Sequence, residues 1–132
     1  NIDLVMSPDI GAAGRAADVG TRMGVEFDHL NKTRLSGTEV EIKPAKADCR
    51  GKNVLIVDDM ISTGGTIIAA NTQLKQAGAK SVTVACTHGV FVNNAIQRLM
   101  GSSLDGVFCC NTLQNEVSKI SVAKSIADAL RE

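Results

Sequence analysis

The segment that most restricts the fold of this chain runs from residue 54 to residue 66. Its first four residues, 54–57, are all apolar, which is typical of a parallel strand buried on both faces. Two acids follow directly, and a glycine pair then stands in front of a helical pattern at residues 67–76. A buried strand, a polar glycine-rich turn and a helix in immediate succession indicate an α/β domain built from strand–helix units.

The rest of the chain repeats this alternation. We predict strands at residues 3–7, 25–31, 54–57, 82–86 and 106–110, and helices at residues 10–23, 67–76, 93–100 and 122–130. Gly24 is in the position of the C-cap of the first helix. The order of elements predicts one domain, residues 1–132, with a doubly wound, mostly parallel sheet and helices on both faces.

One connection in this scheme is unusually long. Residues 32–48 are polar, carry two charged clusters and contain Pro44. Connections of this length in compact domains are usually functional or mobile. We therefore interpret residues 32–48 as an irregular, mobile loop with a catalytic role.

Composition excludes several classes of function. The 14 basic and 14 acidic residues balance, so we expect no nucleic-acid partner. No apolar run approaches the roughly 20 residues of a membrane span, and no signal peptide is recognisable, so we expect no membrane partner. The four cysteines lack metal-ligand spacing, and we expect them to be reduced in a cytoplasmic protein.

Two groups of residues in the segment 54–66 can take part in binding or catalysis. The first is the acid pair Asp58 and Asp59, at the carboxyl end of a strand, where ligands bind in open α/β sheets. The second is the glycine loop, which precedes a helix and consists of Ser62, Thr63, Gly64, Gly65 and Thr66.

Free backbone amides and the positive end of a helix dipole make such a loop a site for an anion, most naturally a phosphate. Carboxylates beside a phosphate can accept hydrogen bonds from sugar hydroxyls or hold hydrated Mg²⁺. A glycine-rich turn with an Asp cap would explain a glycine pair alone, but not this whole pattern. The segment therefore predicts a site for a sugar phosphate.

The segment 54–66 resembles the signature of type I phosphoribosyltransferase folds, which bind phosphoribosyl pyrophosphate (PRPP). Three further segments, residues 7–16, 32–34 and 87–89, resemble motifs of the ribose-phosphate pyrophosphokinases, also called PRPP synthetases. The order and spacing of all four match that family over nearly the whole chain. The amino-acid sequence from residue 32 onwards is most similar to that of the archaeal type.

The resemblance implies transfer of the diphosphoryl group of ATP to ribose 5-phosphate, giving PRPP and AMP. Asp58, assisted by Asp59, would hold the ribose hydroxyls, and the glycine loop would hold the 5-phosphate. Ser62 stands where many members have Asp, and phosphate binding should survive that difference. The implied catalytic residues, which close over the transferring group, are Lys32 and Arg34.

Further roles follow from the same resemblance. The implied pyrophosphate-side loop contains Ser7, Asp9 and Gly11, with Asp9 as a Mg²⁺ ligand. Without the resemblance, Asp9 is equally well a turn former or a helix N-cap, and Lys32 and Arg34 are charges on an exposed loop. His88 could be a ligand contact or a hydrogen-bonded structural residue.

The resemblance covers only the C-terminal half of a two-domain enzyme, and the sequence begins without Met, directly before an apolar segment. We therefore expect a domain of a longer protein that forms a homo-oligomer. In the family, residues that hold ATP belong to the N-terminal half and a neighbouring subunit. We expect the isolated chain to bind ribose 5-phosphate or PRPP with little or no synthetase activity.

Two alternatives stay open at this point. A single-domain phosphoribosyltransferase, which joins PRPP to a base, shares the acid pair and the glycine loop. It needs a clamp for the base, and a chain without Trp or Tyr offers little for one. The other alternative is a non-catalytic module that only binds PRPP.

Overall fold

The computed structural model describes residues 1–131, which form one seven-stranded sheet flanked by helices. The strands are β1 (Leu4–Ser7), β2 (Glu26–Arg34), β3 (Val40–Pro44), β4 (Asn53–Ile61), β5 (Ser81–Gly89), β6 (Gly106–Cys110) and β7 (Ser118–Ile120). The helices are α1 (Ala13–Met23), α2 (Gly65–Gln76), α3 (Ala95–Met100) and α4 (Ala123–Leu130), and a short 3₁₀ turn (Ile10–Ala12) precedes α1.

The strand order is β3-β2-β1-β4-β5-β6-β7, and every neighbouring pair is parallel except β2 and β3. The chain winds outwards from β1 to β2 in one direction and from β4 to β5 and β6 in the other. Right-handed crossovers that leave in opposite directions place their helices on opposite faces of a sheet. The predicted doubly wound α/β fold is confirmed.

Two separate hydrophobic clusters lie on the two faces. The larger one packs the inner side of α2 against the sheet and includes the fully buried side chains of Leu74, Met6 and Ile56. The smaller one lies under α1 and contains Val5 and Ala16. Neighbouring residues of β1, such as Val5 and Met6, therefore pack on opposite faces, which explains why β1 and β4 each contain a run of consecutive apolar residues.

The helix ends follow the local sequence. Gly24 caps α1 in the left-handed conformation, with φ of 70°, as predicted. The longest helix, α2, has 12 residues and begins at Gly65, two residues before the predicted start. Among residues 1–131 no helix combines the length and the apolar character needed to cross a membrane.

The interpretation of residues 32–48 as an irregular loop is wrong. β2 continues as far as Arg34, and β3 pairs with it in antiparallel fashion, so that Lys32 lies opposite Ile42. The segment is polar because the hairpin lies at the edge of the sheet, where most residues of β2 are exposed and only one residue of each strand is buried. Only the tip of the hairpin, residues 35–39, connects the two strands.

Two other expectations needed correction. β7 was not predicted, because three residues of which two are exposed carry no hydrophobic signal. The helix predicted from residue 93 begins only at Ala95, because Asn93 and Asn94 have positive φ values of 55° and 58°. Both asparagines thereby lie outside the right-handed region that a helix requires.

Two glycines of α1 provide a test of how that helix packs on β2. A Cβ at Gly20 would lie 2.8 Å from Cβ of Phe27, whereas a Cβ at Gly14 would meet nothing within 4 Å. We expect Gly20→Ala to lower the free energy of unfolding by about 1–3 kcal/mol, since an overpacked interface must shift. Gly14→Ala should instead raise it by up to about 1 kcal/mol, through helix propensity.

Urea denaturation of both variants checks these values. Two variants of equal stability would contradict the packing of α1 on β2.

Candidate functional site

The candidate site lies where the winding of the chain reverses. β1 and β4 are neighbours, yet β1 leads to β2 on one side while β4 leads to β5 on the other. The connections that follow such a pair of strands separate and leave a crevice at their carboxyl ends. The motif after β1 and the glycine loop after β4 therefore meet there, although they are far apart in the sequence.

Asp58 and Asp59 lie at the carboxyl end of β4, within the strand. The amide of Asp59 donates to Oδ1 of Asp58 at 2.9 Å. Arg15 of α1 lies near both acids, at 3.7 Å from Oδ1 of Asp58 and 3.7 Å from Oδ2 of Asp59. One guanidinium group therefore offsets part of the negative charge of the pair from the α1 side.

The two acids differ in their environments. The side chain of Asp58 is 22% exposed, and burial raises its pKa above the ordinary value. The side chain of Asp59 is 63% exposed, and its pKa is lowered, chiefly by a hydrogen bond with the side chain of Asp58. As the pH falls, a proton therefore binds to Asp58 before it binds to Asp59. Asp59 keeps its negative charge to a lower pH than Asp58 does.

The glycine loop leaves its backbone donors free. Gly64 adopts the left-handed conformation, with φ of 80°, and so turns the chain into α2. Within the described part of the chain, the amides of residues 62–64 donate to no protein acceptor, and the first amide bonded within α2 is that of Ile68, to the carbonyl of Gly64. A loop of this kind can bind an anion through several amides.

A cleft of about 210 Å³ joins Asp58 of the acid pair to the glycine loop. Its lining comes from both motifs and from the residue after β1, and consists of Pro8, Asp58, Met60, Ile61, Ser62, Thr63, Gly64, Thr66 and Ile67. The structure thus brings Asp58 together with four of the five residues of the glycine loop. Asp59 and Gly65 lie beside this cleft without lining it.

The predicted pyrophosphate-side loop is well ordered by its own contacts. The hydroxyl of the buried Ser7 donates to the carbonyl of Asp9 at 2.8 Å. The carboxylate of Asp9 accepts the amide of Ala12 at 3.0 Å and so caps the 3₁₀ turn. At Gly11 a Cβ would lie 3.2 Å from Oδ1 of Asp9, so a side chain there would crowd the carboxylate.

The two predicted catalytic residues lie in different surroundings. Lys32 lines a second cleft, of about 480 Å³, between the hairpin and α2, and Gly65 and Thr66 line the same cleft. Since Thr66 borders both clefts, Lys32 and the glycine loop face a common space. Arg34 donates to the carbonyl of Gly37 at 3.2 Å in the hairpin tip and lines neither cleft.

His88 lies near the end of β5, in register with Met60 of β4. Its Nδ1 forms a hydrogen bond of 2.8 Å with the hydroxyl of Thr112, which in turn donates to the carbonyl of Thr87. This chain of hydrogen bonds holds the ring of His88 in place, and His88 lines neither of the two clefts.

Sequence reasoning did not assign a site role to two residues that support this site. Arg15 lies within a motif that was recognised, and its place beside an acid pair could have been inferred from there. Gln73 of α2 accepts the amide of Ile42 at 2.7 Å and donates to the carbonyl of Val40 at 2.8 Å, so it attaches the hairpin to α2. An isolated glutamine in a helix carries no sequence signal for such a contact.

The acids are suitable ligands for a metal ion that a bound substrate also coordinates. Among residues 1–131 no three His, Cys, Asp or Glu side chains group closely enough to form a metal site of their own. Mg²⁺ is commonly bound by one or two carboxylates together with water and substrate phosphates. Asp58, Asp59 and Asp9 supply hard oxygen ligands of the kind such an arrangement needs.

Comparison with known proteins agrees with this geometry. The sequence model of the phosphoribosyl transferase domain family matches residues 1–123 of this chain. The ribose-phosphate pyrophosphokinase of Methanopyrus kandleri is 44% identical over 127 residues, which are 96% of this chain and 44% of that protein. That of Pyrococcus furiosus is 46% identical over 127 residues, 96% of this chain and 45% of that protein. The chain thus spans somewhat less than half the length of these relatives.

Solved structures with the same fold include the phosphoribosylpyrophosphate synthetase of Mycobacterium smegmatis. It is 34% identical, with a TM-score of 0.80, and the match covers 97% of this chain and 43% of that one. The APRTase of Giardia lamblia, with 21% identity and a TM-score of 0.66 over 80% of this chain and 67% of that one, shares the fold. Both comparisons confirm the predicted type I phosphoribosyltransferase fold.

The contrast between the two acids predicts opposite effects on stability. Burial raises the folded-state pKa of Asp58, so its stabilising contribution is complete below the ordinary pKa and is lost as pH rises through the raised value. Asn cannot ionise, so Asp58→Asn should raise the midpoint of thermal unfolding near neutral pH, with less effect at about pH 3.

Asp59→Asn is the matched control. The lowered pKa of Asp59 means that the fold favours its carboxylate, a contribution present above the ordinary pKa and lost as pH falls through the lowered value. Asp59→Asn should therefore lower the midpoint near neutral pH. Calorimetric melts of both variants at the two pH values check the signs, and changes of the same sign would contradict the assignment.

Proposed function

Since the chain belongs to the phosphoribosyl transferase domain family, we propose that it is the ribose 5-phosphate- and PRPP-binding domain of a ribose-phosphate pyrophosphokinase. Such an enzyme transfers the diphosphoryl group of ATP to the anomeric hydroxyl of ribose 5-phosphate, giving PRPP and AMP. The observation that carries the proposal is the cleft lined by Asp58 at one end and by the glycine loop at the other.

The two ends of that cleft suit the two ends of a sugar phosphate. The amides of residues 62–64, together with the N-terminus of α2, donate to the 5-phosphate without any competing protein acceptor. The hydroxyls of Ser62, Thr63 and Thr66 add further donors. Asp58 accepts hydrogen bonds from the ribose hydroxyls, and Asp59 assists through the sugar or a metal ion.

Lys32 acts on the transferring group from the hairpin side. It lines the cleft that also contains Gly65 and Thr66, and its ammonium group can neutralise charge that spreads over phosphoryl oxygens. Arg34 performs the same task once its guanidinium leaves the carbonyl of Gly37, a single hydrogen bond between exposed groups. Both residues are catalytic in this proposal.

Mg²⁺ and ATP complete the proposed reaction. Ser7, Asp9 and Gly11 form the pyrophosphate side of the site, and Asp9, with help from Asp59, holds a Mg²⁺ that also binds the substrate phosphates. When bound, the ion supplies positive charge to the phosphates. The carboxylate of Asp9 has one oxygen committed to the amide of Ala12 and keeps the other for this purpose.

The remainder of the protein supplies what this domain lacks. The chain spans 44% of the Methanopyrus relative, and we propose that residues holding ATP lie in the other half and in a neighbouring subunit of a cytoplasmic homo-oligomer. The domain then corresponds to the C-terminal half of the enzyme. We assign His88 a structural role in this scheme, because its ring nitrogen forms a hydrogen bond with Thr112.

The role division predicts different effects on ligand binding. Asp58→Ala should weaken binding of ribose 5-phosphate about tenfold or more, and Thr66→Ala about fivefold, because each removes a hydrogen bond to the bound ligand. Lys32→Ala should leave this affinity within about twofold, since Lys32 acts on the transferring group. Isothermal titration calorimetry with Mg²⁺ checks all three, and equal losses would contradict the role division.

A second experiment tests the assignment of the reaction. The chain of residues 1–132 should bind ribose 5-phosphate but form AMP from ATP far more slowly than a two-domain relative, because the ATP-holding residues lie elsewhere. A coupled assay of AMP formation measures this. Release of pyrophosphate from PRPP on addition of a purine or pyrimidine base would instead favour a phosphoribosyltransferase, and turnover near that of a two-domain enzyme would refute the missing-half proposal.

A further inference from the structure

The glycine loop is held from behind by one segment of the chain. This backing segment, residues 90–99, runs from the end of β5 to the buried Leu99 of α3. The amides of Val90 and Phe91 both donate to the carbonyl of Ile61 at 3.1 Å, and the amide of Val92 donates to the carbonyl of Ser62 at 3.0 Å.

The third carbonyl in this row, that of Thr63, accepts from a side chain. Its donor is the Nη2 group of Arg98, on the exposed side of α3. The next residue of α3, Leu99, packs against Gly64, where a Cβ would lie 3.2 Å from three atoms of the leucine side chain. Arg98 and Leu99 therefore hold the loop at neighbouring positions, one by a hydrogen bond and the other by apolar contact.

Holding three successive carbonyls decides where the amides point. In a planar trans peptide the carbonyl of one residue and the amide of the next point in opposite directions. Because the carbonyls of residues 61–63 face the backing segment, the amides of residues 62–64 face away from it, towards the cleft lined by the loop. In the last of these three peptide planes, between Thr63 and Gly64, the carbonyl accepts the hydrogen bond from Arg98.

The backing segment itself is strained. Phe91, Asn93 and Asn94 have φ values of 51°, 55° and 58°, in the left-handed region that a bulky residue such as Phe rarely adopts. Gly89 makes room for this bend, since a Cβ there would lie 2.2 Å from the ring of Phe91. Conformations of this kind persist where the surroundings dictate them, and they concentrate at functional sites.

We propose that Arg98 is a positioning residue that orients the Thr63–Gly64 peptide, so that the glycine loop presents its amides ready-made to the phosphate of the sugar. The consequence for binding rests on the proposed function, whereas the effect on the loop does not. Preorganised donors bind more tightly because no ordering is needed when the ligand arrives. Arg98 thus tunes affinity for the phosphate from the side of the loop opposite to the ligand.

The test compares Arg98→Met with Arg22→Met. Met keeps the length and apolar stem of Arg98 while removing its charge and its donors. Arg22 is a suitable control, because its side chain is 80% exposed and its guanidinium pairs with Asp18 of the same helix. Thermal melts establish that both variants are folded, and Arg98→Lys, which retains a charged donor, serves as a rescue variant.

The first measurement needs no ligand. In ¹H–¹⁵N spectra of the full chain, Arg98→Met should shift the amide signals of residues 62–65, Arg98→Lys should largely restore them, and Arg22→Met should leave them unchanged. A role of Arg98 confined to general stability would move the melting temperature without this local pattern. Unchanged loop signals in a folded Arg98→Met variant would overturn the inference.

The second measurement is calorimetry with ribose 5-phosphate. Arg98→Met should weaken binding about tenfold, Arg98→Lys less than about threefold, and Arg22→Met not at all. A wild-type chain that fails to bind would refute the proposed function, and the amide signals would still decide the role of Arg98. Binding by wild type and Arg98→Met with equal affinity would overturn the positioning role while leaving the proposed function in place.

Discussion

The parallel pairing of β1 with β4 is the constraint on which the rest of the structure depends. Leu4, Val5 and Met6 pair with residues 54–56, and all three β1 side chains are fully buried. Because β1 then leads to β2 and β4 leads to β5, the connections after the two strands diverge. The crevice between them is a direct result of this pairing, and it collects the motif after β1 and the glycine loop after β4 at one place.

The electrostatic potential within the crevice depends on charged side chains that lie close to one another. Asp58 and Asp59 are neighbours in the chain, and two adjacent carboxylates repel each other and any phosphate nearby. Arg15 offsets part of this charge from α1, at 3.7 Å from each acid. In the function proposed above, the acids would face the sugar, while uncharged amides and hydroxyls of the glycine loop would face the phosphate. This separation suits a ligand with one polar and one anionic end.

The residues that support the site come from outside the glycine loop itself. The backing segment holds its carbonyls, and Gln73 attaches the β2–β3 hairpin to α2, so that Lys32 faces the space beside Thr66. Gln73 bonds the amide and carbonyl of β3 that a further strand would otherwise bind, which also protects part of an edge strand. The residues proposed to contact the ligand are thus held by residues that do not contact it.

Local pattern in the sequence was sufficient to predict the fold and the position of the glycine loop in front of α2. Buried parallel strands are apolar on both faces, and a loop that binds a phosphate through its amides needs glycine. The residue types at positions 54–66 therefore predict a buried strand followed by such a loop. The extension of β2 beyond residue 31 and the strand β3 were not predicted, because strands in contact with water at the edge of a sheet can contain many polar residues. The short strand β7 was missed for the same reason.

What only the tertiary structure decided is which residues stand behind the site. The hydrogen bond from Arg98 to Thr63, the contact of Leu99 with Gly64 and the brace formed by Gln73 each join positions distant in the sequence. Arg98 and Gln73 are ordinary surface residues of helices by any local criterion. Their roles arise from the placement of α2 and α3 beside the ends of β4 and β5, and that placement is a property of the packed sheet rather than of any segment of the chain.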